Sequence, residues 1–188
     1  MKNGLETKVL IIVFLCMLVL LTSCKEKTEK EKYTPSPKPS ISTENMEFRP
    51  IAIRASSQMD NHYTADTILE TSSAIWHSGV NPIYPQWLEF EYESPVVINH
   101  ISILCQIGAP KRAPSDFYFQ GQIKDSKWLN LLDVNNAAFK DGDELKSWPI
   151  ENTRAFKCYR LYITENNGAN DLLTIQQIGF GYADNKKK

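Results

Sequence analysis

Two glutamates on one strand face are the first residues in this chain that suggest chemistry. In "WLEFEYE", Glu89 and Glu91 alternate with Leu88, Phe90 and Tyr92. Residues two apart on a strand stand about 7 Å apart, a spacing within the range of an inverting pair of glycosidase carboxylates. Glu93 continues the row, however, and an exposed strand face carries no cleft of its own; Glu91 is instead expected to pair with Arg160 of a neighbouring strand. The three histidines, His62, His77 and His100, show no HxH or HExxH spacing, which argues against zinc. There is no G-x-S-x-G elbow. Nothing nominates a nucleophile, so the sequence reads as a non-enzyme.

A different set of residues suits recognition rather than catalysis. Sugar binding needs a flat aromatic side chain for the apolar face of the ring and fixed polar groups for its hydroxyls. Loop segments supply both: His62 and Tyr63 in "QMDNHYT", His77 and Tyr84 in "WHSGVNPIYP", Lys111 and Arg112 in "GAPKRAPSD", and Asn167, Asn170 and Asp171 in "ENNGAND". Asn and Asp are also common turn formers, so their presence in loops is no proof of contact. A formal net charge of −1 gives no basic stripe, and nucleic acid is not an expected partner.

The elements that must position these loops are short strands. "FRPIAIRAS", "WLEFEY", "VVINHISILCQI", "DFYFQGQI", "WLNLLDV", "KSWPI", "CYRLYITE" and "LLTIQQIGFGY" mostly alternate apolar and polar residues between Gly, Asn, Pro and Asp turns. No long helical periodicity appears. This predicts an all-β antiparallel sandwich or jelly roll over residues 48–183, with 184–188 a tail. Cys105 alternates with Ile101, Ile103 and Ile107 and is expected to point inward. Cys158 alternates with Arg160 and Tyr162, out of phase with Tyr159, Leu161 and Ile163. The two thiols are therefore expected on different faces, free and half-buried.

The N-terminal residues 1–23 read as a signal peptide. Val9 to Leu21 is an unbroken apolar run, shorter than the ~18 residues of a membrane span. "LTSC" then resembles the bacterial lipobox, which implies lipidation of Cys24 and anchoring to the cell envelope, most simply the outer membrane of a Gram-negative bacterium. Residues 24–47 hold "KEKTEKEK" and the Pro/Ser-rich "YTPSPKPSIST", the composition of a disordered, extended tether.

"ASSQ", "WHS", "PQWLEFEY", "INHISI", "APSDFYFQGQ", "YRLYIT" and "TIQQIGFGY" follow one another in an order that resembles discoidin domains. These are the coagulation factor five/eight type C domains, and they include galactose-binding-like carbohydrate-binding modules. The resemblance covers nearly all of 48–182. It implies a galactose-binding-like jelly roll whose loops at one end bind ligand. Within it, Trp76 and Trp87 would be mostly structural, and His62, Tyr63, His77, Tyr84, Arg112, Asn167 and Asn170 would be glycan contacts.

Many such domains hold a structural calcium. Here the aspartate positions of that loop carry Leu69 and Thr71, the threonine position carries Ala74, and the glutamate of the last strand is Gln177. Calcium wants six to eight oxygens, with carboxylates for charge. A degenerate site, and no cofactor, is the expectation. The function expected is a lipid-anchored, non-catalytic carbohydrate-binding module. The alternative is an interaction module that docks a protein partner in the envelope.

Overall fold

The computed structural model describes residues 48–69, 75–124 and 127–182. Cys24, residues 1–23 read as a signal peptide, residues 24–47 read as a tether, the expected tail 184–188, and Thr71 and Ala74 of the expected degenerate calcium site lie outside the described residues. Ten strands follow in order: β1 (Ala52–Ala55), β2 (Trp76–His77), β3 (Gln86–Val96), β4 (Ile98–Leu104), β5 (Pro114–Gln122), β6 (Trp128–Val134), β7 (Leu145–Pro149), β8 (Phe156–Asn166), β9 (Thr174–Ile175) and β10 (Gln177–Tyr182). They form a five-stranded sheet in the order β1-β3-β8-β5-β6, a three-stranded sheet β10-β4-β7, and the short pair β2-β9. Every pairing is antiparallel. Short 3-10 turns lie between the strands at Ala65–Leu69 and Pro110–Arg112. The expected all-β sandwich is what the chain forms.

Strand β3 shows why. Its inward residues Gln86, Leu88, Phe90 and Tyr92 are buried, while Trp87, Glu89 and Glu91 are half-buried on the other face. The period of two forces this segregation once one face meets the second sheet. Aromatic rings fill the space between the sheets. Phe90 of β3 meets Phe180 of β10 edge-on at 4.9 Å, and Phe117 of β5 meets Trp148 of β7 at 5.2 Å. Offset or edge contacts of this kind add to plain burial.

Tyr159 is the hub of that core. It stacks on Phe119 at 5.3 Å and takes Tyr92 and Phe156 on its edges. Its hydroxyl donates to the Val96 carbonyl at 2.6 Å and accepts from the Ile98 amide at 3.2 Å. That one oxygen satisfies both backbone groups at the buried β3–β4 connection. Tyr159→Phe strands both, so it should cost about 1–3 kcal/mol, read as a lowered urea midpoint with an unchanged m-value.

The sheet register differs from the sequence reading in three places. The alternation of Cys105 with Ile107 fails, because β4 ends at Leu104 and Ile107 is 52% exposed. The proposed pairing of Glu91 with Arg160 is not made. Arg54 of the edge strand β1 takes Glu91 at 3.0 Å and Glu89 at 3.6 Å, while Arg160 donates to Gln120 at 2.9 Å. Finally, the last segment splits at Gln176 into β9 and β10. Both thiols are free, as expected, but they are fully rather than half-buried. Burial pushes each up to about 11. Cys158 lies opposite Glu91 on the outer face, with Glu89, Arg54 and Arg160 also acting on it.

Candidate functional site

Four chain segments converge at one end of the sandwich. The loop after β1 is tied to β2: the Met59 amide donates to the His77 carbonyl, and the His77 amide to the Tyr63 carbonyl. The loop after β2 is tied to the segment before β9, because Ser78 donates to Leu173 O and Asn81 to Asp171 O. The turn around Arg112 is tied to the same segment, since Ala169 donates to Lys111 O and Asn167 to Ala113 O. Ser57, Ser78 and Gln86 add side-chain links: Ser57 Oγ donates to Gln86 Oε1 at 2.6 Å and accepts from the Gly79 amide at 2.9 Å. The loops are thus held to one another by backbone bonds, a prerequisite for a preformed site.

Beneath this end lies Trp76. It is fully buried, and its indole Nε1 donates to the Ser57 carbonyl at 3.2 Å. Its next neighbour, His77, is 5% exposed and stacks flat on Tyr63, with ring centroids 4.0 Å apart and an interplanar angle of 4°. Both imidazole nitrogens are without a hydrogen-bond partner among the described residues, as is the hydroxyl of Thr174, which faces His77 in the β2-β9 register. Buried polar atoms without partners are uncommon.

Arg112 and Asp171 complete the group. The guanidinium forks onto the carboxylate, Nε to Oδ1 at 3.2 Å with Nη2 on Oδ2. The Arg112 fork holds the Asp171 carboxyl below its usual range. Burial, then the positive charge of Arg112, lowers the His77 pKa below the usual imidazole value, against smaller opposing effects of Asp60 and Asp171. A neutral imidazole, a guanidinium and a carboxylate provide donors and acceptors together, which suits the mixed hydrogen-bonding of vicinal hydroxyls.

The lowered His77 value has a measurable sign. The unfolded chain binds a proton near the reference value of about 6.5, and the folded chain binds it only at lower pH. Stability should therefore be level above about 6.5 and fall as pH drops below it, by up to about 1.4 kcal/mol per pH unit. Urea unfolding at a series of pH values checks this. His77→Phe, which keeps a ring against Tyr63, should remove that part of the slope.

Other residues expected at the site are placed differently. Asn167 turns its amide to the carbonyls of Pro110 and Phe139, so it braces loops. Tyr84 packs against the core, with its hydroxyl buried and pushed up to about 12. His62 is exposed and leans on Asp60 at 3.3 Å, and Asn170 is exposed. Neither is tied to the His77–Arg112 group by a bond. Asn81 and Asp60 belong to this end and were not singled out from sequence. Asn81 holds φ at 53° in "GVNP", a conformation for which Asn is enriched. That was the one available signal.

Of the positions read as a degenerate calcium site, Leu69 and Gln177 are described. Leu69 packs on the core and Gln177 is buried with its amide nitrogen unpaired. Among the described residues no three His, Cys, Asp or Glu side chains cluster for a metal.

No family model matches the sequence, and no curated protein matches it. Solved structures do match. Chitosan-binding module 1 of a chitosanase/glucanase from Paenibacillus sp. IK-5 superposes with a TM-score of 0.57 at 17% identity, over 69% of this chain and 93% of that one. A family 32 carbohydrate-binding module of Clostridium perfringens, in complex with GalNAc-β-1,3-galactose, gives 0.56 at 19% identity, over 68% and 91%. The fold is that of the galactose-binding-like carbohydrate-binding modules. A further family 32 module, in complex with 4,5-unsaturated mannuronic acid, matches at 0.58 and 15% identity over 72% of this chain and 98% of that one. Likeness at identities this low shows the fold alone and leaves the ligand to the chemistry of the site.

Proposed function

We propose that this chain is a non-catalytic carbohydrate-binding module that captures a glycan in its apical loops without calcium. The observation that carries the reading is the solvent-accessible Arg112–Asp171 fork beside the stacked Tyr63–His77 rings, on loops held to one another by backbone bonds. It stands on a sandwich whose solved counterparts include complexes with GalNAc-β-1,3-galactose and an unsaturated mannuronic acid. The carboxylates that invited a glycosidase reading, Glu89 and Glu91, are both engaged by Arg54. Display on the cell envelope through a lipid on Cys24, with 24–47 as spacer, is part of the same proposal and rests on the lipobox and tether composition. Labelling cells with a radioactive fatty acid tests that part: the chain takes the label and Cys24→Ala does not.

A protein-docking role is the second reading. Val80 and Ile83, 61% and 86% exposed in the loop between β2 and β3, favour it, because apolar loop tips are also protein contacts. Calorimetric titration with mono- and disaccharides in a chelator separates the two. Binding that needs Arg112 supports the glycan, while silence toward every sugar with retention of an envelope protein supports docking.

A further inference from the structure

The outer face of the five-stranded sheet is unlike an ordinary solvated face. Cross-strand registry places Trp87 of β3 opposite Tyr162 of β8, and Tyr162 opposite Tyr118 of β5. Three aromatic side chains therefore stand in a row across three strands. The row spans about 10 Å at two strand spacings of ~4.8 Å. The adjacent row reads Glu89, Arg160, Gln120, Asn130. Its polar groups are fixed in place: Arg160 donates to Gln120, and Gln120 donates to Asn130 at 2.7 Å. The Arg160 guanidinium lies between two rings, 4.2 Å from the Trp128 centroid and 4.6 Å from that of Tyr162.

We propose that this face is a second carbohydrate-binding surface, for an uncharged polysaccharide chain lying across β3, β8, β5 and β6. Each requirement of such a ligand is met by a side chain already on the face. Aromatic rings offer flat apolar area at low entropic cost. Sheet propensity accounts for aromatic residues on strands. It does not account for their free polar tips: the indole nitrogens of Trp87 and Trp128 and the hydroxyls of Tyr118 and Tyr162 form no hydrogen bond among the described residues, and none is buried without access to solvent. Hydroxyl-rich ligands supply such bonds. The charge is also matched. Arg54 and Arg160 stand against Glu89 and Glu91, Arg54 is already committed to both carboxylates, and Asp133 of β6 follows Tyr118 in the aromatic row. A face with no surplus of positive charge favours a neutral chain over uronate or sulfated polymers. The two rows hold no aliphatic side chain, which disfavours the desolvated apolar core of a protein interface.

This surface is separate from the apical group and does not rest on it. The test uses the full chain in a non-glycosidic detergent, titrated with cellohexaose, mannohexaose, xylohexaose and laminarihexaose. The readout is the indole N–H resonances of the four tryptophans, assigned with Trp→Phe variants. The expected result is that at least one hexasaccharide shifts the Trp87 and Trp128 signals, leaves Trp76 unmoved, and does so equally in Arg112→Ala. Tyr118→Ala, an outward and half-buried position, should weaken this binding roughly tenfold. Should its melting temperature fall, Tyr162→Ser serves as the second variant. If no hexasaccharide moves Trp87 or Trp128, the proposal is overturned and the face is left to a protein partner. If those signals move only together with Trp76, and are lost in Arg112→Ala, the apical group is the only sugar site and the proposal is again overturned.

Discussion

Trp76→Ala should destabilise the chain by about 3–5 kcal/mol, the usual cost of truncating a fully buried aromatic residue. The side chain is 0% exposed, and its indole N–H holds the carbonyl of Ser57. Removing it opens a cavity under the apical loops and leaves that carbonyl without its donor, so two mechanisms add. With a urea m-value of about 1–3 kcal/mol/M, the midpoint should drop by roughly 1 M or more. Trp87→Ala is the control. Trp87 is half-buried on the outer sheet face, so its loss creates no enclosed cavity and should cost distinctly less. Equal costs for the two tryptophans would contradict the placement of Trp87.

Arg112→Ala should weaken glycan binding by tenfold or more while leaving the fold almost untouched. The Arg112–Asp171 pair is solvent-accessible, with side chains 32% and 51% exposed, and exposed pairs contribute about 0–1 kcal/mol to stability. Binding is different, because losing a donor that the bound ligand would cover leaves a ligand hydroxyl unpaired. Arg112→Lys retains the charge and loses the fork, so it should recover part of the affinity at most. Because Arg112 also lowers the His77 pKa, Arg112→Ala should raise that value. Imidazole resonances followed against pH would show it, and a value unchanged by the substitution would separate the two residues.

The fold was legible because burial on one side of a strand leaves a period of two in the sequence. Leu88, Phe90 and Tyr92 announce their common face in "WLEFEY", and the structure packs them together. The same alternation places Trp87 outward with Glu89 and Glu91. The resemblance to discoidin domains suggested a packing role for Trp87, and the local pattern was the better guide to its position. Alternation misleads where a strand stops: Ile107 keeps the phase of Cys105 only on paper, since pairing ends at Leu104.

The site was legible in its loops and not in its contacts. The segments carrying Tyr63, His77 and Arg112 are neighbours in the structure. What could not be read was which amide faces the ligand side and which braces the backbone. Asn167 spends its side chain on the carbonyls of Pro110 and Phe139, partners 57 and 28 residues away in the chain. Tyr84 looks like a loop-tip aromatic in "NPIYP" but packs inward, while Ile83 beside it is exposed. Pairings between strands have the same difficulty. Arg54 reaches Glu89 and Glu91 only because β1 is hydrogen-bonded to β3, a neighbour relation that short sequence patterns do not encode.

The most direct measurement is a glycan-array screen of the full chain in a chelating buffer, run in parallel with Arg112→Ala and His77→Phe. The account predicts a reproducible glycan hit that persists without calcium and is lost in Arg112→Ala. An array with no hit, or a hit indifferent to both substitutions and present only when calcium is added, would contradict it.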